Sequence, residues 1–472
     1  MSTGAQSFDV ISPVDGRIYT QRTYASVVEI EAALHAAAAA RLDWRNTPLA
    51  ERAALVLAFA EAMSKRAEAL AEALTWQMGR PLSQADETPR LAAVTRHAVE
   101  RAEEALAAMH FPCEQQDGRT ITRLAKHAPV GIHLSICAWN YPTAMLGSLV
   151  CAPLIAGNVV VLKHSPQTPI IAELAEDAWR DAGGPKGVFQ SLHLAHTDAE
   201  RLIRKGQFDA INFIGSVKSG GHIATLAAPS LTEVKLELGG KDPTYIRSDA
   251  DLDLLVPQLA EGCFSNSGQS CCSVERIYVA SSVHDALVER LRDATAGWTV
   301  GHPVDEDCAL GPLWRAQAAD YVRAQVEAAV SAGARRLLGD ARYTLDRPGT
   351  AYLAPEILTG VATDMSIMRD ELFGPVACVQ AVGSDEEAVA LMNDSPYGLT
   401  ASVWTEDTDA GLHLLDQLDA GTVYLNRCDH ADLYLPWGGV KHSGIGRNNG
   451  IAGLRAGTAL KAFHLNTAAT RA

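Results

Sequence analysis

Residues 131–163 read GIHLSICAWNYPTAMLGSLVCAPLIAGNVVVLK. A short run with β-branched residues, 131–138, is followed by a segment with helical spacing, 143–156, and then by a second β-rich run, 158–163. Two parallel strands need a crossover connection of this length, and a helix usually supplies it. The stretch therefore predicts a βαβ unit built around a parallel sheet.

The same alternation continues along the chain. It includes strand-like runs and helical segments at 170–182, 188–194, 210–214, 220–228 and 234–238. A second series has strands at 276–280, 376–382, 400–404 and 422–426 and a helix at 316–332. The N-terminal part instead has apolar residues at helical spacing over 27–41, 50–78 and 91–109. We predict an α/β fold with two parallel-sheet domains that meet near Gly239 and Gly240.

Composition excludes several classes of protein. The 472 residues are 47% hydrophobic and 20% charged, as in ordinary globular chains, and the net charge of −16 argues against a nucleic-acid partner. The first residues resemble no signal peptide, and no apolar window is long enough to span a membrane. Nine scattered cysteines fit a reducing compartment, so we expect a cytoplasmic protein with small-molecule ligands.

Cys271 and Glu237 are the first candidates for catalysis. Cys271 follows a polar Gly-Gln turn, and Glu237 interrupts an apolar strand-like run that ends at a Gly-Gly pair. A thiol nucleophile and a carboxylate base are the two side-chain groups needed to turn a carbonyl carbon into a carboxylic acid. The residues alone leave two alternatives open, a buried structural cysteine and a glutamate on the solvent face of a strand.

Two further segments suggest ligand contacts. Asn140 follows a strand, and its amide can donate to an oxyanion, although a turn asparagine before proline explains it equally well. Residues 213–220 end a strand in a glycine-bounded turn that opens a helix, a site for pyrophosphate that lacks the full dinucleotide fingerprint. We discount the glycine-rich stretch 444–450, whose spacing does not fit that fingerprint.

These segments occur together and in order, and three more accompany them. The additional segments are Val160–Pro169, Glu371–Pro375 and Pro436–Gly444. From about residue 8 to 465 the chain resembles the NAD(P)-dependent aldehyde dehydrogenase superfamily. The resemblance implies a Rossmann-like cofactor domain over 1–111 and 131–239, an α/β catalytic domain over 240–442, and a small β oligomerisation element over 112–130 and 456–472. It also implies a homodimer or homotetramer.

The resemblance assigns chemical roles to matching residues. Cys271 attacks the aldehyde, Asn140 and the Cys271 amide hold the oxyanion, and Glu237 activates the water that hydrolyses the thioester. NAD or NADP accepts the hydride, and no metal is needed. The implied cofactor residues are Trp139, Lys163, Ser165, Pro166, Gly215, Ser216, Gly220, Leu238, Gly239, Glu371 and Phe373. The implied substrate residues are Tyr141, Met145, Ser148, Ser265, Ser270, Cys272, Ala431 and Trp437.

Three positions depart from the family's pattern. Pro166 replaces a glutamate that commonly excludes NADP, so we expect NADP to be usable with NAD still somewhat favoured. Ala459 stands where we place a second, proton-relaying glutamate of many relatives, which leaves Glu237 to carry the hydrolysis alone. Asn448 also replaces a glutamate, and we interpret it as structural.

Small side chains at Ser148, Ser265 and Ala431 favour a medium-sized or aromatic aldehyde. A semialdehyde with an acidic group is the alternative, since Arg427 and His430 lie in a nearby loop, although we interpret both as solvated. Glu237 argues against a coenzyme A-acylating enzyme, and no histidine neighbours Cys271 in sequence as a cysteine hydrolase would require. A non-catalytic homologue of the same fold is the remaining alternative.

Overall fold

The structure is a computed structural model, and it describes residues 6–339 and 343–468. The helices are α1 Val27–Asn46, α2 Leu49–Ser64, α3 Ala67–Met78, α4 Thr88–Leu106, α5 Ala152–Ala156, α6 Pro169–Asp181, α7 His196–Arg204, α8 Val217–Ala227, α9 Leu252–Phe264, α10 His284–Thr295, α11 Ala316–Ser331, α12 Ser366–Arg369, α13 Asp385–Asn393, α14 Thr408–Leu415 and α15 Gly450–Arg455. No helix in this part of the chain is both long and apolar enough to cross a membrane.

The strands of the described chain belong to four sheets. They are β1 Ser7–Ile11, β2 Ile18–Thr23, β3 Met109–Gln116, β4 Arg119–Pro129, β5 Ile132–Ile136, β6 Val159–Lys163, β7 Phe189–Ser191, β8 Ala210–Ile214, β9 Glu233–Glu237, β10 Asp242–Ile246, β11 Val274–Ala280, β12 Arg335–Arg336, β13 Glu356–Thr359, β14 Val376–Val382, β15 Thr400–Trp404, β16 Thr422–Leu425, β17 Gly444–Ile445 and β18 Thr458–Ala468.

Two sheets with helices form the body of the molecule and confirm the predicted α/β fold. The six-stranded sheet has the order β17-β9-β8-β5-β6-β7, and only β17 runs antiparallel. The seven-stranded sheet has the order β12-β13-β14-β11-β10-β15-β16, and only β12 runs antiparallel. The parallel strands are buried almost throughout, as expected when helices cover both faces of a sheet.

The remaining strands form two smaller sheets. β1 and β2 make an antiparallel hairpin at the N-terminus, which the sequence did not predict. β3, β4 and β18 make a three-stranded antiparallel sheet in which β18 pairs with β4 along its whole length. This sheet contains most of the predicted oligomerisation element. Residues 469–472 of that element lie outside the described chain, and so do residues 1–5 of the predicted cofactor domain.

The helical prediction for the N-terminal part needs three corrections. Residues 50–78 form two helices, because Arg66 leaves the helical conformation at φ −106° and ψ 13° and starts α3. Residues 107–109 are not helical, since Met109 begins β3. Residues 143–145 form a turn, and the helical part of 143–156 begins at Leu146 and continues as a wide π-type turn from Gly147.

Strand ends bring the functional segments together. At the carboxyl edge of the six-stranded sheet, Asn140 follows β5, Gly215 follows β8, and Glu237 ends β9. Cys271 instead precedes β11 of the seven-stranded sheet. Ligand crevices form at the carboxyl ends of parallel strands, so this edge is where a cofactor site is expected.

Candidate active site

One cavity of about 700 Å³ lies between the two large sheets. Cys271, Glu237 and Asn140 all line it. So do seven of the predicted cofactor residues, which are Trp139, Gly215, Ser216, Leu238, Gly239, Glu371 and Phe373. All the predicted substrate residues line it as well, namely Tyr141, Met145, Ser148, Ser265, Ser270, Cys272, Ala431 and Trp437.

The loop before Cys271 has an unusual backbone. Asn266, Ser267 and Gly268 have φ angles of 51°, 56° and 70°, all in the left-handed region. Gly268 is required there, because a Cβ atom would lie 2.3 Å from the carbonyl oxygen of Gly374. Strained backbone of this kind persists where the surroundings over-determine it, and it is common at active sites. It turns the chain so that Cys271 borders the cavity.

Cys271 and Cys272 have different surroundings. The Cys272 thiol is buried and donates to Asp429 Oδ1 at 2.7 Å, and Ser270 donates to the same oxygen at 3.1 Å. A hydrogen bond to Cys271, burial and the Asp429 charge hold the pKa of Cys272 well above its ordinary value, which keeps this thiol protonated. Cys271 is partly exposed, so it is the thiol open to a substrate.

The pKa of the Cys271 thiol reflects opposing effects. A hydrogen bond with the Cys272 thiol lowers the pKa of Cys271. Burial and the Glu237 and Asp242 charges raise this pKa, and the net effect is an increase. A thiol with a raised pKa is a weak nucleophile unless a base removes its proton. Glu237 lines the same cavity and carries a carboxylate, a group that can act as such a base.

Glu237 is buried, with 6% of its surface exposed. Its two carboxylate oxygens accept separate hydrogen bonds, Oε1 from Trp437 Nε1 and Oε2 from Asn448 Nδ2 at 2.7 Å. Burial raises the pKa of Glu237 even though these two donors and Lys235 lower it. Lys235 is also buried, so the alternative of a solvent-exposed strand face is wrong.

Asn140 is held by a buried polar network that the sequence did not reveal. Arg80 donates to the Asn140 carbonyl and, at 3.1 Å, to Asn266 Oδ1, and it pairs with buried Glu87. Glu87 in turn accepts the backbone N–H groups that follow Pro142, at 2.8 and 2.9 Å. The network fixes the Asn140 loop against the loop that carries Cys271.

Two residues with N–H donors, Asn140 and Cys271, line the cavity. The Asn140 side-chain amide is buried, and Nδ2 donates to the Gln269 carbonyl at 3.2 Å. Within the described chain, the backbone N–H of Cys271 donates to no backbone carbonyl. An amide pair of this kind can stabilise negative charge that develops on a carbonyl oxygen.

One side of the cavity fits a dinucleotide. Ser216 caps α8, and its hydroxyl accepts the Ser219 N–H at 3.3 Å, so the helix N-terminus opens at the cavity wall. A Cβ atom on Gly239 would lie 2.3 Å from the Glu371 carboxylate, so only glycine allows that close approach. Burial, then Glu275, raises the pKa of Glu371 to about 8.

Aromatic side chains close this side of the cavity. The Trp139 ring stacks on Trp314 with centroids 4.8 Å apart and meets Phe373 edge-on at 5.6 Å. Flat aromatic walls suit a planar ring such as nicotinamide. Trp314 was not among the predicted residues.

Four predicted cofactor residues lie outside the cavity lining, namely Lys163, Ser165, Pro166 and Gly220. Lys163 ends β6 and is buried without an ion pair in the described chain, and burial lowers its pKa to about 8. Gly220 lies inside α8, where a Cβ atom would lie 2.5 Å from the Leu238 side chain. Both observations are compatible with a cofactor that extends beyond the cavity.

Two predictions about the C-terminal part are wrong. Ala459 lies in β18, pairs with Ala128 and is exposed, so that position is too far from the cavity lining to relay protons. Asn448, which we interpreted as structural, bonds to Glu237 directly. His430 lines the cavity while 35% of its side chain stays exposed, and Arg427 is exposed and does not line it.

Several functional neighbours were missed by sequence reasoning. Arg90 lines the cavity, donates to the Ala431 carbonyl and forms no ion pair in the described chain. Asp429 lines the cavity beside Cys272, and burial raises its pKa to about 6. Both residues reach the site from remote parts of the chain, so no local pattern marks them.

Comparisons with known proteins show which family the chain is similar to. A family model described as the aldehyde dehydrogenase family matches residues 1–463. A succinate-semialdehyde dehydrogenase [NADP(+)] of Deinococcus radiodurans is 36% identical over 95% of this chain and 92% of its own length. The succinate semialdehyde dehydrogenase [NAD(P)+] Sad of Escherichia coli K12 is 33% identical over 94% of this chain and 95% of its own length.

A solved structure shows the same fold. It is an indole-3-acetaldehyde dehydrogenase complexed with NAD+, with a TM-score of 0.92 and 31% identity over 98% of this chain and 93% of the other.

Proposed function

Because this chain belongs to the aldehyde dehydrogenase family, we propose that it oxidises an aldehyde to the carboxylic acid with NAD or NADP as hydride acceptor, through a thioester on Cys271. The observation that carries the proposal is the convergence of Cys271, Glu237 and Asn140 on one cavity. Three groups from separate strand ends supply a nucleophile, a base and an oxyanion donor.

The first half of the reaction uses Cys271 and Asn140. Glu237 removes the thiol proton, and the Cys271 sulfur bonds to the aldehyde carbon to give a thiohemiacetal. Asn140 Nδ2 and the Cys271 N–H stabilise the oxyanion. The bound nicotinamide cofactor supplies the hydride acceptor that converts the thiohemiacetal into a thioester.

The second half uses Glu237 alone. Its carboxylate removes a proton from water, the hydroxide oxygen bonds to the thioester carbon, and the C–S bond breaks to release the acid and Cys271. Protonation of Glu237 at low pH stops this step. Because burial raises the pKa of Glu237, activity is lost at a higher pH than an ordinary glutamate would give.

The residues present fit a nicotinamide dinucleotide. Ser216 at the start of α8 would hold the pyrophosphate, Glu371 and Phe373 the nicotinamide side, and Lys163 the adenosine ribose. The names of both curated relatives include NADP(+) or NAD(P)+, and the solved relative holds NAD+. The turn from β6 to α6, residues 164–168, contains no carboxylate that would repel a 2′-phosphate.

We infer a medium-sized or aromatic aldehyde as substrate. Aromatic walls at Tyr141 and Trp437 combine with small side chains at Ser148, Ser265 and Ala431, and this combination leaves room for a ring. The name of the solved relative, which contains an indole aldehyde, supports this inference.

An acidic semialdehyde is the second candidate, favoured by Arg90. This guanidinium lines the cavity without an ion pair in the described chain, and a substrate carboxylate would give it one. The names of the curated relatives support the same substrate class.

The direct experiment measures reduced-cofactor formation with hexanal, benzaldehyde, acetaldehyde and succinate semialdehyde. We expect kcat/KM for benzaldehyde or hexanal to exceed that for acetaldehyde. If succinate semialdehyde leads instead, Arg90→Met should raise its KM at least about 10-fold, since a charged hydrogen bond is lost, and leave benzaldehyde unaffected. No reduction with any aldehyde would contradict the proposed function.

The same panel with both cofactors tests the role of position 166. We expect kcat/KM with NADP to lie within about a thousandfold of the value with NAD, roughly 4 kcal/mol in transition-state free energy. Pro166→Glu should then lower NADP use more than NAD use, because it restores a carboxylate near the 2′-phosphate. A larger gap in the native enzyme would show that something other than position 166 excludes NADP.

We further propose that 1–111 and 131–239 form the cofactor domain, 240–442 the catalytic domain, and 112–130 with 456–472 the oligomerisation element. β3 is exposed throughout, and Phe111, Leu460 and Leu465 expose apolar surface on this sheet. An exposed sheet edge with apolar residues favours pairing with another copy. Sedimentation velocity would show a single monomeric species if this proposal is wrong.

A further inference from the structure

We propose that Trp437 and Asn448 form a clamp that positions Glu237 for thioester hydrolysis. The inference rests on the proposed function and assigns these two side chains a role that acts through the base. Each side chain donates a hydrogen bond to one carboxylate oxygen of Glu237. Trp437 Nε1 donates to Oε1, and Asn448 Nδ2 donates to Oε2. A carboxylate held at both oxygens cannot rotate freely, so the position of the base is set before a substrate arrives.

The backbone couples the two halves of the clamp. Trp437 and Asn448 face each other in an isolated antiparallel bridge, with N–H···O distances of 2.8 Å and 2.6 Å. Residues 438–447 lie between them as a loop. The two side chains therefore move as one unit, although ten residues lie between them.

The loop is attached to the strand that carries the base. β17, within the loop, pairs antiparallel with β9, and Gly444 lies directly opposite Glu237. A Cβ atom at position 444 would lie 2.1 Å from the Leu236 carbonyl oxygen, so glycine permits this pairing. Ser443 adds a hydrogen bond of 2.7 Å from its hydroxyl to the Gly239 carbonyl. The clamp and the base thus share one rigid support.

The clamp also favours the ionised base. Burial raises the pKa of Glu237, and the Trp437 and Asn448 hydrogen bonds oppose that increase. The other charged or titratable groups that act on it are Lys235 on the same strand and Cys271 in the cavity wall. Loss of either clamp donor should therefore raise the pKa of Glu237 further and reduce the ionised fraction at a given pH.

Asn448 can serve both protonation states of the base. Its Oδ1 is buried and has no hydrogen-bond partner in the described chain. Once Glu237 has taken a proton from water, a half-turn of the amide would place Oδ1 to accept the new O–H. Leucine at this position has a similar size and offers neither interaction.

The test uses Asn448→Leu and Trp437→Phe in the full-length enzyme with the best aldehyde of the panel. Acid-quenched mass spectrometry measures the fraction of enzyme held as thioester in the steady state. We expect kcat to fall about 10-fold, the thioester fraction to rise, and the first-turnover rate of cofactor reduction to fall less than kcat, because solvent hydroxide can also ionise the Cys271 thiol. The acidic limb of the kcat profile should move to higher pH.

Trp404→Phe is the matched control. Trp404 is equally buried, and its Nε1 donates to Thr244 Oγ1 at 2.9 Å outside the cavity lining. This variant loses a buried indole hydrogen bond, yet it should change neither the thioester fraction nor the pH profile. If one clamp variant does not fold, the other still carries the test.

The outcomes separate the two proposals. An unchanged thioester fraction and pH limb in the folded clamp variants, while the native enzyme turns over, would overturn the clamp and leave the proposed function intact. A native enzyme that reduces no cofactor with any aldehyde would overturn both. A slower first turnover without thioester accumulation would place the two residues in acylation and also overturn the clamp.

Discussion

Cys271→Ser is expected to lower kcat/KM for aldehyde oxidation by at least about 10⁴-fold, because it removes the only group that bonds to the substrate. A hydroxyl has the size of the thiol but a far higher pKa, and Glu237 cannot ionise it. The backbone of the preceding loop does not depend on the side chain, since Gly268 and its neighbours fix it. Cofactor reduction measured in the presence of each aldehyde reports the loss.

Cys272→Ser provides the comparison for this variant. The Cys272 thiol donates a hydrogen bond to Asp429, and Cys272 lies next to the nucleophile. Replacing Cys272 therefore alters the cavity wall but not the reacting sulfur. Acyl adducts should still form on Cys271 in this variant. Turnover by Cys271→Ser within about 10-fold of the native enzyme would show that another group attacks the aldehyde.

Glu237→Gln should separate the two halves of the reaction. We expect steady-state turnover to fall about 10²- to 10⁴-fold, the range of a lost general base, while stopped-flow absorbance still shows a first-turnover burst of reduced cofactor. Glutamine has the same shape, and Asn448 can turn its free Oδ1 toward the new amide. The fold of the site should therefore be kept.

The height and pH dependence of the burst decide how Glu237 acts. A burst of one equivalent per chain that speeds up at high pH would mean that hydroxide replaces the base in thiol ionisation. Absence of any burst would show that nothing replaces Glu237 in thiol ionisation and would make Glu237 essential for acylation as well as for hydrolysis. Steady-state turnover near the native value would remove Glu237 from the mechanism.

The sequence predicted the parallel sheets and the edge where the site forms. Buried parallel strands such as β6 and β14 appear as continuous apolar runs, and turns rich in glycine mark their ends. Glu237 ends β9, Asn140 shortly follows β5 and Cys271 shortly precedes β11, so all three lie next to recognisable strands. The break between α2 and α3 was missed because no proline or glycine marks it.

Contacts between distant segments were beyond sequence reasoning. Arg80 and Asn266 are 186 residues apart, and Glu237 and Asn448 are 211 apart. The contact between Glu237 and Asn448 depends on the pairing of β17 with β9, and a two-residue strand leaves no periodic signal. Ala459 shows the opposite error, since a residue expected near the site lies in an outlying sheet.

The most direct measurement is the intact mass of Glu237→Gln after mixing with cofactor and aldehyde and quenching in acid. The account predicts one acyl group per chain, located on the peptide that contains Cys271, in an amount equal to the cofactor reduced. The test uses an aldehyde that the native enzyme oxidises and with which this variant still reduces cofactor. An unmodified chain would then contradict the thioester on Cys271.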